Sequence, residues 1–322
     1  MDEWVNAVKE GDRRKIARAI SWIENGDIRR EALMEALYPH TGGAFLIGVT
    51  GSPGAGKSTL VDGLLFEIRK QGKKAAVIAV DPTSPFTGGA LLGDRVRMAR
   101  HALDKGVFIR SMGTRGSLGG LARPAKEAAR VLDAAGYDVI FIETVGVGQS
   151  EIDIMHLADT VALVLTPGSG DAVQVFKAGI METADLFVVN KADGEGAEKL
   201  VRDIEEMLSL VKGDAPWMPP IVQTESKEGR GLDLLWGKME SHRLYLLESG
   251  NWEGHRLQRL RREVQEIMEE ELRNQLADRI RDPAFQQDLD RVQSREKAPH
   301  EVARKWLARL MDTSGGANYD RG

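Results

Sequence analysis

"AFLIGVTGSPGAGKSTLVDGLLFEIRKQG", residues 44–72, carries three instructions in a row. An unbroken apolar run comes first, then a glycine-rich turn, then apolar residues at helical spacing. Inside it, GSPGAGKS at 51–58 fits G-x-x-x-x-G-K-[ST], and both flanks that this pattern needs, a strand before and a helix after, are present. Gly51, Gly54 and Gly56 let the backbone turn tightly and aim N–H groups at phosphate oxygens; Pro53 and Ala55 line the same turn. Lys57 is expected to reach the outer phosphates and Ser58 to offer its hydroxyl to Mg²⁺, with Thr59 beside the phosphates.

The alternation of short apolar runs and helical stretches continues to about residue 236. The runs are AFLIGVT, AAVIAVD, VFIRSMG, DVIFIET, TVALVLT and DLFVVN. Continuous apolar strands separated by helices imply an α/β fold: a mostly parallel central sheet with helices on both faces. Ligands of such sheets bind at the C-terminal strand ends. Three segments are expected: an N-terminal helical extension at 1–43, the nucleotide-binding domain at 44–240, and a helical C-terminal arm with a disordered tail at 241–322. In the first, Ile16, Ile20 and Ile23 follow a cap at Asp12, and Asp27 precedes a helix carrying Leu33 and Leu37. In the last, Leu257, Leu260, Val264, Ile267, Met268, Leu272, Leu276 and Ile280 form an apolar stripe among Arg and Glu. Pro299 stands near the start of a final helix carrying Val302, Trp306 and Leu310.

The 322 residues carry a net charge of −5 and no cysteine. That excludes disulfides, thiolate metal sites and thiol nucleophiles, and it gives no sign of a nucleic-acid or membrane binder. The charged N-terminus has no apolar signal core, so the expected location is cytoplasmic.

Two further stretches refine the ligand. VVNKAD at 188–193 follows a strand and fits N-K-x-D. Asp193 can accept from guanine N1–H and the 2-amino group, donors that adenine lacks, so GTP is expected over ATP. Asn190 would brace the loop or the base, and Lys191 would lie over the ring. TESKEG at 224–229 offers backbone contacts to the guanine, Ser226 foremost. FIETVGVGQSE at 141–151 ends a strand on Glu143, with Gly146 placed to meet the γ-phosphate. Asp81 at a second strand end, Asp94 in a long Gly- and Pro-rich stretch, and Glu143 then share the Mg²⁺ and attacking-water roles with Ser58. The six scattered histidines read as surface or structural groups. TRGSLGGLARP at 114–124 leaves open a nucleotide or partner contact through Arg115 or Arg123, against a plain flexible loop.

Together, GVTGSPGAGKST, VIAVDPTSPFTGGALLGDRVRM, IRSMGTRGSLGGL, FIETVGVGQSE and PGSGDAVQVFKAGIMETADLFVVNKAD resemble the methylmalonyl-CoA mutase-associated GTPases, the MeaB/ArgK family. The wider class includes the nickel metallochaperones HypB and UreG, in which a glutamate commonly stands where regulatory GTPases have the D-x-x-G aspartate; Glu143 stands there here. The resemblance implies a homodimeric, Mg²⁺-dependent GTPase that gates delivery of adenosylcobalamin to an acyl-CoA mutase and protects or reactivates that enzyme. It implies GTP and GDP as ligands with no tightly held cobalamin, catalytic roles for Lys57, Asp94, Glu143 and Gly146, and a cobalamin adenosyltransferase as a candidate second partner. It also places mobile segments at Asp81–Asp94, at Glu143–Glu151 and at 167–179, where Asp171, Gln174 and Lys177 are candidate signalling residues, and makes the C-terminal stripe a dimer arm. Competing readings are a nickel-type metallochaperone, a P-loop kinase and a non-catalytic GTP-dependent scaffold.

Overall fold

The computed structural model describes residues 1–81, 98–101, 103–113, 122–144, 157–168, 184–213 and 215–314. Three helices open the chain: α1 (Asp2–Lys9), α2 (Arg13–Glu24) and α3 (Arg29–Leu37). The Asp12 carboxylate accepts from the N–H groups of Arg14 and Lys15, which sets where α2 begins. Ile16, Ile20, Ile23, Leu33 and Leu37 are all fully or almost fully buried. Their partners are not one another alone. They share a core with α5 (Ala122–Ala134) and one face of the sheet, so the N-terminal helices form part of the sheet's cover.

The sheet begins with β1 (Phe45–Gly51), followed by α4 (Lys57–Lys70), β2 (Ala75–Asp81) and β3 (Val107–Gly113). After α5 come β4 (Val139–Glu143), β5 (Thr160–Leu165), β6 (Leu186–Asn190), α6 (Ala197–Val211), β7 (Ile221–Thr224) and α7 (Leu232–Glu248). The seven strands among the described residues are all parallel, in the order β3-β2-β4-β1-β5-β6-β7. Side chains alternate between the faces, as the pleat requires. Ala75, Val77, Val139 and Phe141 point to the face under α4 and α7, whereas Ala76, Ile78, Ile140 and Ile142 point to the face under α2, α3 and α5. Leu163, Leu165, Phe187 and Val189 meet α6. With both faces covered, apolar residues stand at consecutive positions, which is why the strands read as unbroken runs. Phe45, Phe141 and Phe187 are among the largest fully buried side chains, each worth roughly 1.5–3 kcal/mol against exposure.

At the N-terminal end of the sheet, α7 is pinned by a polar contact. His242 Nδ1 lies 2.8 Å from Thr160 Oγ1, and its Nε2 lies 3.5 Å from Asp185 Oδ1. Asp185 Oδ2 accepts from Val161 N–H at 2.8 Å. Burial pushes the His242 imidazole down to about 4, helped by His255 and opposed by Asp159. Burial pushes the Asp185 carboxyl up to about 7, against the Val161 N–H and Lys212.

The chain divides into two compact units at 255/256, Met1–His255 and Arg256–Gly322, whereas position 240 falls inside α7. Helix α8 (Asn251–Ile280) has no buried residue; Leu257, Val264, Met268 and Leu272 are each more than half exposed. In the second unit, α9 (Pro283–Gln293) and α10 (Pro299–Ser314) pack through Phe285 on Trp306, ring centres 5.3 Å apart. Asp288 accepts from Lys305 Nζ at 2.5 Å and Trp306 Nε1 at 3.0 Å. The remainder of the expected tail lies outside the described residues.

Candidate functional site

The glycine-rich turn sits where the central strand ends. Gly51 has φ of 133°, and a Cβ there would stand 2.0 Å from the Val164 carbonyl oxygen on β5, so only glycine lets the two strands close. Gly56, with φ of 89°, hands the chain to α4 without a side-chain cap and leaves the first N–H groups of the helix facing the turn. A Cβ at Gly56 would come within 2.5 Å of Asn190 Nδ2. Lys57 is buried, and its ammonium donates to the carbonyls of Gly51 at 2.6 Å and Ser52 at 3.0 Å. The cation is therefore folded over the turn that it serves. Pro53 and Gly54 are exposed at its tip; Ala55 is buried, and Thr59 is half-buried in the first turn of α4.

Strand order brings the acid to this turn. β4 is the neighbour of β1, with Val49 opposite Glu143, so β4 ends beside the start of α4. Ser58 Oγ donates to Glu143 Oε1 at 2.6 Å, and Glu143 is 5% exposed. Beyond it, Thr144 N–H donates to the Val49 carbonyl at 3.1 Å, and the Thr144 and Thr50 hydroxyls lie 3.2 Å apart. A carboxylate this deep costs several kcal/mol unless hydrogen-bonded, and the Ser58 hydroxyl supplies one such bond. Hydroxyl and carboxylate oxygens side by side are the donor set that a hard divalent cation takes.

The second cluster forms on β6 and β7, where Asn190 stands opposite Thr224. Asn190, 2% exposed, ties three chain segments. Its Nδ2 donates to the Ala55 carbonyl at 2.7 Å. Its Oδ1 accepts from Thr224 Oγ1 at 3.1 Å, Ser226 N at 3.3 Å and Ser226 Oγ at 2.7 Å. Lys191 adopts φ of 56°, unusual for a residue with a Cβ, and its Nζ reaches back to the Gly54 carbonyl at 2.8 Å. Asp193 follows on the exposed rim. The structure thus gathers Gly51 to Thr59, Glu143, Asn190, Lys191 and Ser226 at the C-terminal ends of the strands. Asp81 closes β2, one strand beyond β4. Asp94, Gly146, Asp171, Gln174 and Lys177 lie outside the described residues.

One family model, described as methylmalonyl-CoA mutase-associated GTPase MeaB, matches residues 16–281. The chain belongs to the MeaB family of GTPases. A Pyrococcus abyssi relative that carries the name GTPase is 48% identical over 314 residues, 97% of each chain. A Mus musculus relative, methylmalonic aciduria type A homolog, mitochondrial, is 34% identical over 268 residues, covering 78% of this chain and 65% of that one. The crystal structure of a LAO/AO transport system kinase matches with a TM-score of 0.70 at 29% identity, over 96% of this chain and 97% of that one. Membership in the MeaB family assigns this chain to the GTPases and agrees with the parallel-sheet fold. Among the described residues, no helix is long and apolar enough to cross a membrane.

One buried group beside the MeaB-family site belongs to no motif in the sequence. Asp62 is buried on α4 one turn after Ser58, and it meets Arg100 and His101. Its signal was available: an aspartate at a buried position among Leu60, Val61, Leu64 and Leu65.

Proposed function

We propose that this chain is a GTP-hydrolysing chaperone that gates adenosylcobalamin loading of a B12-dependent acyl-CoA mutase and protects or reactivates that enzyme. The observation that carries the reading is the joining of a phosphate turn, a buried acid and an N-K-x-D cluster at the C-terminal ends of the strands, in a chain matched by the MeaB model. Lys57 and the N–H groups of the turn hold the phosphates. Asp193 reads guanine; Asn190 and Ser226 hold its loop in place. Ser58 and Glu143, with Asp81 and Asp94, hold Mg²⁺ directly or through its waters, and Asp94, Glu143 and Gly146 position the attacking water and γ-phosphate. Bound Mg²⁺ neutralises phosphate charge. Asp171, Gln174 and Lys177 carry the signal to the mutase.

The mutase partner is supported by the family's own description and by the mouse relative's name. A second copy of the chain, seated on the exposed apolar stripe of α8, gives a homodimer, in which each copy covers the other's Leu257, Val264, Met268 and Leu272. The chain takes GTP and GDP and holds no cobalamin tightly. The test measures GTP turnover by the purified protein, alone and with the acyl-CoA mutase of the same organism, loaded and empty, with ATP as control. Stimulation by that mutase with ATP inert supports the reading. Tight GTP binding without stimulation by any such mutase refutes the chaperone role.

A further inference from the structure

The loop that joins β7 to α7, residues 225–231, is fastened at both ends to elements that carry the phosphate turn. At its start, Ser226 donates through N–H and Oγ to Asn190, whose Nδ2 holds the Ala55 carbonyl. At its end, Gly231 has φ of 76°, and a Cβ there would stand 2.3 Å from the Gln223 carbonyl oxygen. Leu232 follows and lies over Gly63 of α4, where a Cβ would come within 2.4 Å of Leu232 Cδ1. Between these ties the loop closes on itself. Glu225 N–H donates to the Arg230 carbonyl at 3.1 Å, and Arg230 N–H donates back to the Glu225 carbonyl at 3.3 Å. Glu228 N–H turns in to the same Glu225 carbonyl at 3.1 Å. Across this narrow neck the Arg230 guanidinium pairs with the Glu225 carboxylate.

The backbone donors of the tip are spent unequally. Ser226 N–H goes to Asn190 and Glu228 N–H to Glu225, whereas Lys227 N–H, at an exposed position, has no acceptor among the described residues. The Asp193 carboxylate, an acceptor, suits guanine N1–H and the 2-amino group; O6 on the same edge of the base needs a donor. Lys227 N–H is the donor that the tip has left to offer, and a backbone donor is only as well aimed as the loop that carries it. With the Arg230 side chain 64% exposed, the ion pair adds little to global stability. Its use is local: set across the neck, it holds the four-residue tip in one conformation before a base arrives, so less ordering is left to the binding step.

We infer that Arg230, paired with Glu225, is a positioning residue for guanine specificity: it fixes the tip whose Lys227 N–H meets O6. This rests on the guanine-site reading above.

The test measures the affinity of the full chain for GDP, for inosine diphosphate, which lacks the 2-amino group, and for 6-thio-GDP, in which a weak acceptor replaces O6. Arg230→Glu sets two carboxylates across the neck. It is expected to weaken GDP by roughly 3–5-fold, the scale of one exposed ion pair, and to shrink the preference for GDP over 6-thio-GDP by about the same factor. The preference for GDP over inosine diphosphate, read at Asp193, is expected to stay as in wild type. Arg230→Gln, which only deletes the charge, is expected to show the same pattern at smaller amplitude, and Arg230→Lys to keep most of the affinity. Glu225→Arg combined with Arg230→Glu rebuilds the pair with its charges exchanged and is expected to recover both the affinity and the preference. The Arg230 side chain is exposed, so the single substitutions spare the core even if the exchanged pair does not fold. Wild-type GDP affinity in Arg230→Glu overturns the inference, as does an equal fall for GDP and 6-thio-GDP, which marks a merely structural role. A folded exchanged pair that fails to recover the loss overturns it too. A wild type that binds ADP as tightly as GDP sinks the guanine reading instead, and the inference with it.

Discussion

Replacing Asn190 by alanine removes four hydrogen bonds at once: one to the Ala55 carbonyl, two from Ser226 and one from Thr224. All three partner residues are buried, so water does not freely replace the lost group. At about 0.5–1.5 kcal/mol net per bond, offset because the two hydroxyls can turn to other acceptors, the expected loss is about 2–4 kcal/mol. Urea denaturation of the nucleotide-free protein, compared at constant m-value, measures it. Thr224→Val and Ser226→Ala each remove part of the cluster and are expected to cost about 1 kcal/mol apiece. Guanine-nucleotide affinity is expected to fall with Asn190→Ala, because the Ala55 and Ser226 loops lose their common tie. A stability loss below about 1 kcal/mol together with unchanged nucleotide affinity refutes the view that Asn190 holds the site together.

Gly51→Ala forces a methyl group into the Val164 carbonyl, and thermal melting should show a loss of about 3 kcal/mol or more, or no folded protein; a melt like wild type contradicts the strand contact. Asp193→Asn reverses the donor–acceptor pattern at the rim, so competition binding should show preference moving from guanine toward xanthine nucleotides, and an unmoved preference counts against the guanine pocket. His242 and Asp185, below α7, give opposite pH signatures. His242 is depressed to about 4 from 6.5, so the unfolded chain binds the extra proton between those values, and the stability of wild type relative to His242→Gln should rise with pH from about 4 to 6.5 and then level off. Asp185 is raised from 3.8 to about 7, so the folded chain holds the extra proton there, and wild type relative to Asp185→Asn should lose stability as pH rises through that window. Two flat difference curves from urea titrations would remove both assignments.

Six apolar runs in the sequence correspond to β1 through β6; the inner strands, buried on both faces, read as unbroken runs, while β3 at the sheet edge keeps Arg110 and Ser111. The phosphate turn was equally legible, since its residue types are dictated locally by backbone conformation at Gly51 and Gly56. Strand order was not. That β1 lies between β4 and β5 depends on pairings across about ninety or more residues, which no local pattern records. For the same reason the reading named Ser58 and Glu143 separately but could not place the 2.6 Å bond between them. The sequence allows Asn190 two roles, loop or base, and its contacts to Ala55, Thr224 and Ser226 are those of a brace between loops. The histidines looked alike by spacing, whereas the folded chain buries His101 and His242 in specific polar contacts and leaves His40, His255 and His300 out of its core. The N-terminal helices showed their caps and apolar faces but not their partner, because that partner is a sheet built from residues read much later.

The position of β1 also governs when the protein acquires its site during synthesis. The strand ends at Gly51, yet its two neighbours end at Glu143 and Leu165. A ribosome adding roughly 5–20 residues per second needs on the order of ten seconds between the first strand and the last of its flanking pair. Until β4 is made the strand that lies between β1 and β2 is missing, and until β5 is made the phosphate turn has no closed sheet beneath it. A nascent chain stalled before Leu165 is therefore expected to be unable to retain GTP and to depend on holding factors, whereas one released beyond the Asn190 loop has every central strand it needs.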